Sequence, residues 1–429
     1  MIGYRVFKSP LTDQILSLYG NYTGIAKSLG ANSNELPSCT YSDISIEECN
    51  LNAIMHTKHK INLRPASLDK TIEKAILKGF SELAERYCLF MYPFAYPDIL
   101  TKGTYKGIAQ NGIPLSLSYV NLWDNSNNKF KNYWAEGVIS SLKSDDEIMW
   151  IEGESITKNI KVYIPAQIIF LSTSSLFNEK LYWLGTSSGT ASHTNRNEAI
   201  ISSVLELVER DSIMKYFYTN ITPIEVSPFG ESKKLLNEIG ESRLFRFYFL
   251  PNEFKIPVFV TVSLSRDKKK PYAVFGSGSG LNPDSALKKS LMESLQGISL
   301  VTYYTIVNDI KNNKKFLDLD SGPVLYGDPK NSDFLEQYLT STSLDFESVF
   351  EYNEYSLYGL ENILERVKKN DYDLFLFDIT TEDIKEVGLT VIRAYIPQLI
   401  PFSVPALPPV SHPKFDDVKN ITPFVHPFP

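Results

Sequence analysis

Two periodicities divide the chain. Apolar residues recur at helical spacing over about 68–90, 195–218 and 284–304, tracing one face of a 3.6-residue turn in each stretch. Alternating or continuous apolar runs over about 115–121, 161–171, 256–264 and 271–276 read as strands. Pro257–Leu264 and Pro271–Phe275 flank the charged segment Ser265–Lys270, which predicts a β-hairpin. Each helix has a start signal: Ser67 for the first, Thr194 or Asn195 for the second, and Asn282 with Pro283 and Asp284 for the third. Strands and helices in turn predict a mixed α/β (α+β) class.

The pattern changes after about residue 396, where prolines stand at 397, 401, 405, 408, 409, 413, 423, 427 and 429. Such a segment suits neither helix nor central strand and should run extended over the surface or into a groove. It ends Phe424-Val425-His426-Pro427-Phe428-Pro429. Aromatic residues at a chain end favour a docked tail over a solvated one. The divisions expected are an N-terminal segment 1–66, a main body 67–400 and a tail 401–429.

Composition narrows the class. The 429 residues are 43% hydrophobic and 22% charged, and mean hydropathy is slightly below zero, enough for one large core or two to three smaller ones. A net charge of −7 argues against a protein that coats nucleic acid. No run of about 18 apolar residues predicts a membrane span, and the aromatic stretch Tyr87–Leu100 is cut by Pro93 and Pro97. The start, MIGYRVFKSP, lacks the layout of a signal peptide. Cys39, Cys49 and Cys88 are odd in number and lack a CxxC spacing. Neither a disulfide framework nor a structural zinc site is expected, and a reducing cytoplasm fits. His56 and His59 are three apart with no thiol or carboxylate at matching spacing, and read as surface histidines.

Candidate chemistry comes from a repeat. Ala75 precedes Glu82-Leu83-Ala84-Glu85-Arg86, and Ala199 precedes Glu206-Leu207-Val208-Glu209-Arg210, by seven residues to the first glutamate. In the third helix Ala286 precedes Glu293 by the same seven, and Gln296 follows in the place of the second glutamate. One frame, A-x6-E-x2-[E/Q], therefore occurs three times. A single ExxER is an ordinary solvated helix face worth a few tenths of a kcal/mol. Two copies with apolar residues between the acids are different, because such acids need something positive beside them. Four carboxylates from two helices make a hard-oxygen set for magnesium, which shares its coordination with phosphates. Arg86 and Arg210 add planar forks for phosphate oxygens or for orienting the acids. This reads as a metal–nucleotide site without a P-loop, since no GxxxxGK[ST] occurs. The runs Gly185-Thr-Ser-Ser-Gly189 and Gly276-Ser-Gly-Ser-Gly280 each follow a predicted strand and precede a motif helix. They either present backbone N–H groups to phosphate or serve as plain turns.

At these residues the chain resembles the YcaO family. That family has an ExxER helix, a segment SNG-x-A-x-G-N-T-x-x-EA leading to a second ExxER, and an RA-x-x-E-x-x-Q helix. Here Ser187, Gly189, Ala191, Glu198 and Ala199 match, whereas Ser188, His193, Thr194 and Asn195 depart from Asn, Gly, Asn and Thr. Lys289 replaces the arginine, while Glu293 and Gln296 match. Asp378–Ile384, Gly388 and Val391–Pro397 are similar to the family's late strand region, so the resemblance spans about 67–400. It implies a YcaO-like fold of mixed sheets and helices with ATP between the three motif helices. It implies Mg2+ ligation by Glu82, Glu85, Glu206 and Glu209, with Ser187, Glu198, Arg210, Lys289, Glu293 and Gln296 at the nucleotide. Azoline-forming members end in PxPxP, and here Pro427 and Pro429 match while Val425 replaces the first proline.

The implied activity is ATP-dependent cyclodehydration in peptide-natural-product (thiazole/oxazole, bacteriocin-type) biosynthesis. A Cys, Ser or Thr side chain of a ribosomal precursor peptide attacks the preceding amide carbonyl, and phosphorylation of that oxygen makes a good leaving group. Positioning and charge stabilisation by metal, Arg86 and Arg210 would dominate catalysis. The terminal carboxylate of Pro429 is a candidate for orienting substrate or base. Two alternatives compete: a thioamide- or amidine-forming relative, and a peptide-binding scaffold without chemistry. Retention of both ExxER copies speaks against the scaffold. With only 66 residues before the first motif, a separate E1-like leader-binding partner is expected, within an oligomeric complex. A flavin-dependent dehydrogenase is also needed if azoles are the product. Neither nucleic acid nor membrane is an expected partner.

Overall fold

The computed structural model describes residues 9–20, 24–36, 39–56, 63, 65–124, 126, 137–219, 222–241, 243–307, 319–332, 335, 339, 342–343, 354–418 and 426–428. It divides into two compact units. One comprises Met1–Ser116, Leu142–Val204 and Asp373–Tyr395, the other Leu117–Ser141, Leu205–Tyr372 and Ile396–Pro429.

The first unit holds three antiparallel sheets of three strands each. Ala26–Leu36, Cys39–Glu48 and Ala66–Asp69 form one, in that order. Leu100–Thr104, Glu147–Glu154 and Lys161–Pro165 form another. The third has Thr390–Tyr395 between Phe375–Asp378 and Thr190–His193. The Ile72–Ala95 helix buries Ala75, Ile76, Gly79, Phe80, Leu83, Ala84, Tyr87 and Cys88, a stripe at the expected spacing of three and four. Its cap is Thr71, whose side chain accepts the Lys74 N–H. The expected cap, Ser67, instead lies in the Ala66–Asp69 strand.

The second unit is built on a five-stranded sheet, ordered Ala273–Ser279, Val258–Ser265, Arg243–Phe249, Ile224–Val226 and Thr342–Ser343. Its pairs are antiparallel except the last. The first two strands are the expected hairpin, with Val258 opposite Ser279 and Leu264 opposite Ala273. The Pro283–Val307 helix begins where Asn282 accepts the Ser285 N–H at 2.9 Å, with proline first in the helix. This helix packs on the Ala273–Ser279 strand. A Cβ on Gly276 would come within 2.2 Å of the Ser294 nitrogen, and one on Gly278 within 2.4 Å of the Ala286 oxygen. Only glycine lets helix and strand backbones approach so closely. The Gly276–Gly280 run is therefore mostly strand, and neither alternative raised for it, phosphate loop or turn, holds.

Two further expectations change. Residues 115–121 contain a short 3-10 turn at Leu117–Tyr119 rather than a strand. The strand expected over 161–171 stops at Pro165, and Ala166–Ile169 is a helical turn. Among its described residues, the proline-rich stretch after 396 avoids helix and strand apart from a 3-10 turn at Pro413–Phe415. Of the two courses expected for it, surface or groove, the described residues exclude the first, because Ile396, Leu399, Ile400, Phe402, Leu407 and Val410 are all buried. Two of its backbone groups are bonded from within the unit, the Leu407 oxygen by Trp123 Nε1 and the Ile400 N–H by Asp211, each at 2.8 Å. Among the described residues no helix is long and apolar enough to cross a membrane.

Two buried histidines lie in this segment. Burial pushes His412 and His426 each down to about 4. His412 sits between the Pro397 carbonyl, Tyr119 and the charges of Asp211, Lys215 and Lys414. Both rings are neutral in the folded chain and protonate near 6.5 when unfolded. Their stabilising effect is therefore whole above about 6.5 and is lost as pH falls toward 4, by roughly 3 kcal/mol per ring. Urea unfolding at pH 7 and pH 4.5 is expected to show a smaller acid-induced loss in His412→Gln than in wild type. An identical loss would remove the histidine from the account.

Candidate active site

The first unit presents one carboxylate pair. Glu82 and Glu85 are half-buried on the Ile72–Ala95 helix, with Leu83 and Ala84 fully buried between them. Glu82 accepts the Ala66 N–H at 2.8 Å on one oxygen and pairs with Arg86 at 2.5 Å on the other. Burial pushes its carboxyl upward, against the pull of Arg86 and the Ala66 amide. Arg86 also donates to the Leu63 carbonyl, so its fork is spent on orienting Glu82. Glu85 accepts the Ser192 N–H at 2.8 Å.

Ser187 lies in the turn that leads into the Thr190–His193 strand. Its carbonyl accepts the Thr190 N–H at 2.9 Å, and Gly189 takes a φ of 82°, where a side chain would be strained. Gly185–Gly189 thus precedes a strand before the helix, and is a turn. Arg393, 5% exposed, supports it by donating to the Ser188 carbonyl, to Thr190 Oγ1 at 3.0 Å and to the Ile168 carbonyl at 3.1 Å. Asn195 caps the Arg196–Tyr218 helix by accepting from Asn197 at 2.8 Å and Glu198 at 3.3 Å. Glu198 itself is exposed in the first turn.

The second unit presents the other pair. Glu206 is half-buried, while Glu209 is fully buried. Ser277 donates to one oxygen of Glu209 at 2.6 Å, and Ser279 and Lys289 donate to the other at 2.8 and 3.0 Å. Alternation along the strand explains the arrangement: Gly276 and Gly278 face the helix, and Ser277 and Ser279 point to the opposite side. Burial alone would raise Glu209, but Lys289, Arg210 and the Ser277 hydroxyl outweigh it and hold the group well below the carboxylate range. Glu293 lies 3.9 Å from Lys289 and accepts the Ser277 N–H at 3.3 Å. Withdrawal from water pushes it up, and the Glu209 anion adds to this against the pull of Lys289. Gln296, one turn on, is half-buried. Arg210 has Glu206 at 3.7 Å on one side and the Phe402 ring at 4.6 Å on the other, a contact worth about 1–2 kcal/mol when partly desolvated.

The four expected magnesium ligands thus stand as two pairs, one to each unit. Among the described residues no three His, Cys, Asp or Glu side chains gather into a metal group by themselves. Magnesium is commonly held by one or two carboxylates with phosphate and water completing its shell, so a pair suffices as donor set. Each carboxylate oxygen offers two lone pairs. Glu209 uses one on the oxygen facing Ser277 and two on the other. A lone pair remains for a cation, and the serines fix the carboxylate as outer partners do for metal ligands. Pro429 lies outside the described residues. Ser277, Ser279, Arg393 and Phe402 are not among the site residues expected from the sequence, although the alternation of Gly and Ser over 276–280 is a period-two signal that points to the first two.

Carboxylate pairs each followed by an arginine, with serine and lysine donors and no P-loop, are the groups that a hard cation held together with phosphate would require. The profile of the YcaO family, described as YcaO cyclodehydratase, ATP- and Mg2+-binding, matches residues 69–400, and the chain belongs to that family. ATP and Mg2+ are the cofactors this membership carries. The fold is similar to a heterocyclase in complex with substrate and cofactor, with a TM-score of 0.71 and 18% identity over 98% of this chain. The chain spans 57% of that heterocyclase. It is similar to YcaO from Methanopyrus kandleri bound with AMPPCP and Mg2+, with a TM-score of 0.59 and 19% identity over 86% of this chain and 85% of that one. It is also similar to the E. coli microcin synthetase McbBCD complex with pro-MccB17 bound, with a TM-score of 0.65 and 16% identity over 94% of this chain and 96% of that one.

Glu82→Gln and Glu209→Gln each remove an anion at nearly constant volume. Each is expected to abolish magnesium-dependent ADP release while far-UV circular dichroism stays unchanged. Normal release by both variants would sink the metal assignment.

Proposed function

We propose that the chain is an ATP- and Mg2+-dependent peptide cyclodehydratase that converts Cys, Ser or Thr of a ribosomal precursor peptide into azolines. The observation that carries this reading is Glu209, a fully buried carboxylate kept ionised by Lys289, Ser277 and Ser279. Burying an ion costs several kcal/mol unless every lone pair is well partnered. A fold has little reason to keep such a group in a helix repeat unless it meets a ligand cation. Bound ATP supplies the phosphoryl group that turns an amide oxygen into a leaving group.

In this reading Glu82, Glu85, Glu206 and Glu209 hold magnesium, and Ser187, Glu198, Lys289, Glu293 and Gln296 line the nucleotide. Arg86 and Arg210 divide the arginine work. Arg86 is bound to Glu82 and the Leu63 carbonyl, so it aligns a ligand. Arg210 rests on an aromatic face, which leaves terminal N–H groups for charge developing on phosphate. The similarity to a multi-subunit microcin synthetase with pro-MccB17 bound supports a precursor peptide and an assembly of several subunits. In this reading an E1-like leader-binding partner and, for azoles, a flavin-dependent dehydrogenase complete that assembly in the cytoplasm.

The test is reconstitution. With precursor, leader-binding partner, ATP and Mg2+, the product should lose the mass of one water per ring, with ADP released in step. A mass increase would point to sulfur exchange and the thioamide branch. The chain alone is expected to process the precursor at a much lower kcat/KM than the reconstituted pair. Full leader-dependent activity without the partner would refute the need for one.

A further inference from the structure

Arg210 is held differently from three other arginines of its unit. Arg243, Arg246 and Arg366 each bind carbonyls, a hydroxyl or a carboxylate through two or more of their nitrogens. The Arg210 guanidinium carbon lies 4.6 Å from the centre of the Phe402 ring, and its buried Nε makes no hydrogen bond among the described residues. Its plane is thus set by an aromatic face and by Glu206 at 3.7 Å. Phe402 is 2% exposed and has a second ring neighbour, His426, at 4.8 Å.

His426 begins the seat of the chain's end. It is fully buried, with Nε2 2.5 Å from the Ser403 carbonyl. Its own carbonyl crosses Gly322 so closely that a Cβ there would come within 2.1 Å. Two residues on, Phe428 fills the space between Phe217 and Phe275, with ring centres 5.7 and 5.8 Å away. Phe402 is therefore shared between the seated tail and the motif arginine.

We propose that Phe402 is a positioning residue through which seating of residues 426–428 sets the plane of the Arg210 guanidinium for nucleotide phosphate. The inference rests on the reading that Arg210 faces the nucleotide. A guanidinium stacked on a ring is fixed without spending its N–H donors, so terminal donors stay available for phosphate oxygens. A carbonyl or carboxylate clamp, like that on Arg86, consumes donors as it orients. In this arrangement residues 426–428 act on nucleotide binding.

The test compares Phe402→Leu, which keeps an apolar group but removes the ring face, with Phe402→Tyr, which keeps the face. Affinity for a non-hydrolysable ATP analogue with Mg2+ is measured by calorimetry, beside thermal unfolding of each variant. Phe402→Leu is expected to weaken the analogue about tenfold, and Phe402→Tyr by no more than about twofold. Gly322→Ala, which displaces the tail without touching Phe402 or Arg210, should match Phe402→Leu, and the two together should be less than additive. Analogue binding by Phe402→Leu and Gly322→Ala at the wild-type level, while Arg210→Met loses it, overturns the proposal and leaves the nucleotide site standing. Unchanged binding by Arg210→Met overturns the nucleotide reading itself, and the proposal with it.

Discussion

The second unit is organised around one carboxylate that never meets water. Glu209 is fully buried, and an isolated ion in that position would be replaced by its protonated form. Its charge survives because three donors reach it, two hydroxyls from one strand and an ammonium from the facing helix. Each donor imposes a condition on the fold. The serines must alternate with residues that have no side chain, because the helix backbone lies against the other face of the strand. Lys289 must stand one turn before Glu293, and the helix must start at Asn282 for that register to hold. Sheet, helix and cap are bound to one buried charge.

Lys289 also changes what the site can do. The resemblance places arginine at this position. A lysine brings a point charge with rotatable donors instead of a rigid fork. Its single bond to Glu209, with Glu293 at 3.9 Å, draws the two acids apart in character: Glu209 is held ionised, and Glu293 is pushed toward the neutral form. Titratable neighbours driven in opposite directions are a common feature of catalytic sites.

The local parts of this arrangement were legible in the sequence, and the distant ones were not. The three motif helices follow from apolar spacing, and their observed spans, Ile72–Ala95, Arg196–Tyr218 and Pro283–Val307, depart from expectation mainly at the ends, where caps compete. Ser67 is by type at least as good a capping residue as Thr71; strand pairing of Ser67 with Ile44 decided between them. The repeat of acids was legible because it needs only counting. Gly276–Gly280 misled because glycine and serine favour turns by propensity, and only a packed helix makes them strand residues. Residues 115–121 alternate as a strand would, yet tertiary contacts override so short a pattern. Arg393 under the Ser187 turn, and Phe402 under Arg210, depend on partners about 200 residues away, and no local pattern announces them.

The proline-rich segment shows how such distant parts are fixed. Proline removes backbone donors and forbids helix and ladder, so this chain cannot lock itself in place by regular hydrogen bonding. Buried charge does it instead. Lys414 reaches both oxygens of Asp211 at 2.9 and 3.0 Å and Glu253 at 2.9 Å, while Lys215 binds the same two acids at 3.0 and 2.7 Å. Asp211 also accepts the Ile400 amide. Two cations and two anions cancel, and each has several partners, which is the condition for a buried network not to be a net loss. Burial would raise Glu253, but the two lysines outweigh it and bring the group to about 2. Charge pairs are poor at supplying stability and better at choosing one register among many. Here the register chosen places Ile400 on the residue after Arg210, and so brings Phe402, two residues on, beneath the guanidinium.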